Sequence, residues 1–69
     1  MELIFAKKEL AEMRLRKGFT LELLAAQCNL TKFTLHKIEN GRSVRPSNAA
    51  KVCKALECEF DDIFQIGGK

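Results

Sequence analysis

The 69-residue sequence has neither Trp nor Tyr, a single Pro, a single His and only three Cys. Without Trp and Tyr, the five Phe must supply the bulk of any core together with Leu and Ile. Hydrophobic residues make up 46%, enough for one compact domain with a thin margin of buried surface. Long apolar runs are also missing. The longest are four residues; Leu3-Ile4-Phe5-Ala6, one of them, follows an acidic residue, and each is far below the roughly 20 residues that span a bilayer. Neither a membrane anchor nor an export signal is expected, and the expected location is the cytoplasm. Cys28, Cys53 and Cys58 are odd in number and lack the spacing of a disulfide scaffold, so free thiols used as small core residues are expected. Cys53 and Cys58 stand five apart with no paired partner motif, unlike the closely spaced pairs that hold zinc, so no metal is expected. No Ser/His/Asp or Cys/His arrangement and no glycine-rich phosphate loop is present. The chain is expected to have no catalytic residues, no cofactor and no small-molecule ligand.

What is present is an uneven distribution of charge. The formal net charge is +3, from twelve basic and nine acidic residues. Between Thr31 and Pro46 lie Lys32, Lys37, Arg42 and Arg45 against one acid, Glu39, which leaves eight residues of each sign for the rest of the chain. The whole positive excess therefore falls in one short segment, while Glu57, Glu59, Asp61 and Asp62 make the C-terminal end acidic. A basic patch on a neutral body suits a polyanion met by one face.

Punctuation divides the sequence into five short helices. The first runs from about Ala6 to Lys17, with Leu10, Met13 and the stem of Lys17 on one face, and Gly18 ends it. Thr20 caps a second, Leu21 to Cys28, with Leu24 and Ala25 inward. Asn29 tolerates the left-handed conformation that a tight turn demands, and Leu30 plugs the turn. Thr31 caps a third helix to about Asn40, with Leu35 and Ile38 (and Thr34 beside them) inward, and Gly41 ends it. Ser47 or Asn48 caps a fourth to Leu56, with Val52, Cys53 and Leu56 inward. Phe60 to Phe64 forms a last turn or two, its Asp61 and Asp62 suited to a helix N-terminus. No strand-length alternation is evident. The expected architecture is all-α, one domain over 1–69: a core at about 7–64, an N-terminal arm at 1–6 and a flexible tail at 65–69. Residues 1–6 suit an arm, a dimer contact or a cover for the core.

The informative unit runs from Thr20 to Gly41. Two short helices joined by a three-residue turn, each capped by Thr, have the sequence form of a helix-turn-helix. Steeply crossing helices need a small residue at closest approach, here Ala25; the reversal needs a positive φ, here Asn29; and an apolar side chain must close the corner, here Leu30. The second helix is then pinned by Leu35 and Ile38 with its outer face free, which is what a major groove about 12 Å wide admits.

Arg14-Leu15-Arg16-Lys17-Gly18-Phe19-Thr20, then Leu24-Ala25, Ile38-Glu39-Asn40-Gly41 and Arg45-Pro46 resemble the DNA-binding domains of lambdoid phage repressors and Cro proteins, within the bacterial Cro/repressor (XRE) regulators. The resemblance covers roughly Lys7 to Phe64. It implies a bacterial or phage transcriptional regulator of double-stranded DNA, associated with the nucleoid and acting as a homodimer on a palindromic operator. It implies that Arg14 and Glu39 form an internal ion pair. It places Lys32, Phe33 and Lys37 at base-reading positions, with His36 beside them on the DNA face, and assigns phosphate contacts to Thr20, Leu21, Thr31, Asn40, Arg42 and Arg45. Pairing of two copies is expected through Phe60, Ile63, Phe64 and Ile66, which otherwise bury against the fourth helix. Three departures stand out. Leu21 replaces the family's phosphate-gripping Gln, so only its backbone N–H serves. Phe33 replaces a polar reader and either touches a thymine methyl or packs on Leu21. Glu57 stands where the family favours Gly. Leu21 and Phe33 also suit a second reading, a protein-interaction module on the same fold, and an antitoxin or mobile-element accessory protein has the same appearance at this length.

Overall fold

The computed structural model describes residues 2–67. The elements, in chain order, are β1 (Ile4–Ala6), α1 (Lys8–Arg16), α2 (Leu21–Cys28), α3 (Lys32–Glu39), α4 (Pro46–Leu56), α5 (Phe60–Ile63) and β2 (Phe64–Ile66). The fold is the expected all-α bundle of five short helices with α2 and α3 as a helix-turn-helix, closed by one short strand pair.

A single corner device shapes the bundle. The four longer helices are followed by a residue at positive φ: Gly18 (81°), Asn29 (59°), Gly41 (103°) and Glu57 (56°). At each corner the next N–H reaches back to the carbonyl five residues earlier: Phe19 to Arg14, Leu30 to Ala25, Arg42 to Lys37 and Cys58 to Cys53, at 2.8–3.1 Å. The left-handed residue's own N–H bonds three back, to Leu15, Ala26, Ile38 and Lys54 respectively. This is the Schellman arrangement. It satisfies carbonyls that a helix end would otherwise orphan, and it brings the two bridged side chains together.

Helix starts are more varied. Thr20 Oγ1 accepts from the Leu23 N–H and Thr31 Oγ1 from the Thr34 N–H, each at 3.1 Å. The fourth helix begins earlier than expected. Its cap position is Arg45, with Pro46 in the first turn, and neither Ser47 nor Asn48 caps it. Proline's fixed φ and missing donor suit that position without a side-chain cap. At α5, Glu59 and Asp62 form a capping box, with the Asp62 carboxylate accepting from the Glu59 N–H at 2.9 Å.

The core is Leu10, Leu24, Ala25, Cys28, Leu35, Ile38, Val44, Ala49, Val52, Leu56, Ile63 and Phe64. Met13 and Cys53 pack against it half-buried, whereas Lys17 is exposed, its ammonium 3.9 Å from Glu57. Full burial of one such Leu or Ile contributes roughly 1.5–3 kcal/mol, a large share of the roughly 3–10 kcal/mol typical of a chain this long.

The strands correct the expected ends. β1 and β2 pair antiparallel with Ile4 opposite Ile66, Phe5 opposite Gln65 and Ala6 opposite Phe64. On its other side Ile4 bridges Val44, whose N–H donates to the Ile4 carbonyl at 2.9 Å. Residues 4–6 are thus not an arm but a strand whose Ile4 and Ala6 cover the core, and Gln65 and Ile66 are not tail. Runs of three residues are too short to display a period of two, although Ile and Phe favour extended backbone. Gly67, whose N–H donates to the Leu3 carbonyl at 2.7 Å, is not loose tail either, and Gly68 and Lys69 lie outside the described residues. Phe64 opens β2 instead of closing α5, and both Ile63 (0% exposed) and Phe64 (1%) lie within the protomer's own core. They are therefore not available to a second copy. Phe60, half-buried with its ring 5.5 Å from that of Phe64, and Ile66, 61% exposed, are what remains of the expected pairing segment.

Candidate nucleic-acid interface

The α2–α3 corner presents the third helix. Leu35 and Ile38 anchor its inner face in the core, while Lys32, Phe33, His36 and Lys37 are exposed. Thr31 Oγ1, besides capping, donates to Thr34 Oγ1 at 2.9 Å, which stiffens the first turn. Phe33 is 72% exposed and is not covered by Leu21, which is half-buried against the core.

One ion pair ties the end of α3 to α1. The Arg14 guanidinium donates from Nε to Glu39 Oε2 at 2.7 Å and from Nη2 to Glu39 Oε1 at 3.2 Å. Its Nη1 donates to the Phe19 carbonyl at 3.0 Å, tying the α1–α2 corner into the same clamp. Side-chain exposures of 12% and 10% put the pair between surface and core. A planar fork on a carboxylate is orientation-specific, so it fixes the helix more than it stabilises the fold. It also ties up Glu39, the sole acid of the 31–46 segment.

Three of the segment's four basic residues, Lys37, Arg42 and Arg45, gather at the far end of α3, while Lys32 stands at its start. The corner at Gly41 brings Lys37 and Arg42 together through its backbone bridge, two cations where such corners usually join apolar side chains. A cleft of about 210 Å³ is lined there by Thr34, Lys37, Arg42, Ser43, Arg45 and Asn48. Like charges held side by side are favourable only with an anion between or before them. The Asn40 amide donates to the His36 carbonyl at 2.8 Å, closing the helix end while its side chain stays exposed. Thr20 and Thr31 are exposed at the starts of α2 and α3, where free N–H groups favour anions.

Glu22 was not singled out by sequence reasoning. Its carboxylate Oε2 lies 3.2 Å from Lys32 Nζ, across the helix-turn-helix. The only sequence signal is an acid ten positions before a lysine, which has no meaning until the turn geometry is known. The Lys32 ammonium also sits 5.9 Å from the centre of the Phe33 ring. Thr34, Ser43 and Asn48 were likewise not assigned to the site, because polar residues in a loop carry no mark of the cleft they line.

Comparison with known proteins agrees with this geometry. A helix-turn-helix family model matches residues 10–63. The chain belongs to the XRE-type helix-turn-helix family, a family of DNA-binding regulators. It is similar to the Bacillus subtilis (strain 168) protein described as an uncharacterized HTH-type transcriptional regulator, YgzD. The two are 36% identical over 62 residues, covering 87% of this chain and 92% of that protein. Among the described residues, no helix is long and apolar enough to cross a membrane.

Proposed function

We propose that the protein is a sequence-specific transcriptional regulator that lays α3 in the major groove of duplex DNA. The observation that carries this reading is the helix itself, pinned inward by Leu35 and Ile38 while Lys32, Phe33, His36 and Lys37 all face solvent. Lys32 and Lys37 donate to base edges, Phe33 meets a thymine methyl and His36 contacts the same groove. Arg42, Arg45 and Asn40, with the N-terminal ends of α2 and α3 at Thr20, Leu21 and Thr31, hold phosphates and set the register. Two copies on half-sites roughly 34 Å apart supply the affinity that one small module lacks. A palindromic operator, repression as the outcome, and a nucleoid-associated place in the cytoplasm are part of the same proposal.

Binding to pooled random duplex DNA, by selection and sequencing over a salt series, tests this directly. A two-fold related motif is expected, with log affinity falling steeply against log salt. Lys37→Ala is expected to relax discrimination between sites, whereas Arg45→Ala weakens all sequences alike and flattens the salt slope. Equal loss of specific and non-specific binding in Lys37→Ala would remove it from the readers. Exposed Phe33 favours the second reading, a protein-interaction module, if no motif enriches and partner binding survives high salt.

A further inference from the structure

We infer that Glu22 and Lys32 act together as a reader of one oriented G·C base pair, with Lys32 on guanine and Glu22 on cytosine. The inference rests on the DNA-binding reading above and adds a residue from α2 to the base-contacting set. Its starting point is the 3.2 Å contact between Lys32 Nζ and Glu22 Oε2, at the exposed start of α3.

The chemistry of the base pair matches that contact. In the major groove, guanine presents acceptors at N7 and O6, and cytosine presents a donor at its N4 amino group. The O6 and N4 atoms are themselves hydrogen-bonded, so they lie about 3 Å apart. An ammonium and a carboxylate 3.2 Å apart offer the complementary order, donor opposite O6 and acceptor opposite N4. The four groups then alternate in sign around a closed set, and the ion pair does not have to break to make either base contact.

The same arrangement rejects the other pairs. Adenine places an amino donor against the ammonium, and thymine places O4 and a methyl group against the carboxylate. A reversed C·G pair puts like with like at both positions. Lysine alone would lack that second check. The carboxylate also repels phosphates, so it lowers affinity for sequences in which no cytosine amino group offsets it. Both side chains are exposed, so neither needs to leave the core to reach the groove. The Phe33 ring, 5.9 Å from the ammonium, bounds the pair on another side.

The test uses the full chain. Selected motifs are compared for the wild type, Lys32→Ala and Glu22→Ala, with thermal unfolding by circular dichroism to show that each variant folds. One position is expected to prefer G·C in the wild type, to lose that preference in Lys32→Ala and to keep only part of it in Glu22→Ala. Measured by fluorescence anisotropy, the penalty for replacing that base pair should fall about tenfold in Glu22→Ala. A duplex carrying 2-pyrimidinone, which lacks the N4 amino group, in place of that cytosine should bind the wild type more weakly but leave Glu22→Ala unaffected. If Glu22→Ala keeps every base preference and merely binds all duplexes more tightly, the carboxylate is a repelling charge and the pair-reading is wrong. A wild-type motif with no G·C at the position governed by Lys32 overturns it equally. Failure of the wild type to enrich any motif would instead overturn the DNA-binding reading on which the inference stands.

Discussion

Glu57 holds φ 56° and ψ 49°, a left-handed conformation that a β-carbon makes costly. The other three corners use Gly or Asn there, and the price at Glu57 is offset only by an exposed contact to Lys17 at 3.9 Å. Glu57→Gly is therefore expected to stabilise the fold by about 1 kcal/mol, seen as a rise of roughly 4–8 °C in Tm. A fall in Tm would mean that the Lys17 contact outweighs the strain. The same corner brings Cys53 and Cys58 together, and burial first, then the neighbouring Cys58 thiol and nearby acids, push the Cys53 thiol up to about 11. A raised thiol stabilises the fold fully below its unfolded value, and that contribution is lost as pH climbs through the folded value. Stability to urea should thus decline between about pH 8.5 and pH 11, with no tyrosine in the chain to confuse the titration. Cys53→Ala should show a shallower decline over that range, and an identical slope would rule out the thiol as its source.

At the scale of elements, legibility followed the length over which each structure is specified. Caps and corners are local, so Thr20, Thr31, Gly18, Asn29 and Gly41 were each readable, and α2 runs from Leu21 to Cys28 as expected. The start of α4 was misplaced because Ser47 and Asn48 are better capping residues than Arg45, yet Pro46 fixes the first turn. The strands were not readable because their partners lie at opposite ends of the sequence. Glu22 was missed for a related reason, since its meaning depends on where the turn sends Lys32. Because Val44 is hydrogen-bonded to Ile4, β1 also supports the loop between Arg42 and Arg45. Ile4→Pro keeps the carbonyl that Val44 uses but removes a backbone donor and restricts the strand. It is expected to cost about 2–3 kcal/mol and to weaken DNA binding in proportion to the freedom the loop gains. Circular dichroism melts and anisotropy titrations read the two effects separately. Unchanged melting would show that the Ile4–Val44 bridge contributes nothing to the fold.

For the molecule as a whole, the burial of Ile63 and Phe64 narrows what one copy can offer another. Among the large apolar residues of the described ends, Leu3 (47% exposed), just before β1, and Ile66 (61%), on β2, remain open. If two copies meet there on DNA, Ile66→Asp should reduce affinity for a two-half-site duplex toward that for a single half-site. Binding to the isolated half-site should not change. Equal binding of wild type and variant to the longer duplex would place the contact elsewhere or exclude it.

The strand pair also has a consequence in time. Each helix corner closes within six residues of chain, whereas Ile4 must wait for Ile66. Loop closure is slower and entropically costlier the farther apart the partners lie, so the helix corners close before the strands can pair. A chain emerging from the ribosome carries Leu3-Ile4-Phe5 without its strand partner until β2 has been made. The most apolar stretch of this sequence is thus also the one that remains longest without its partner during synthesis.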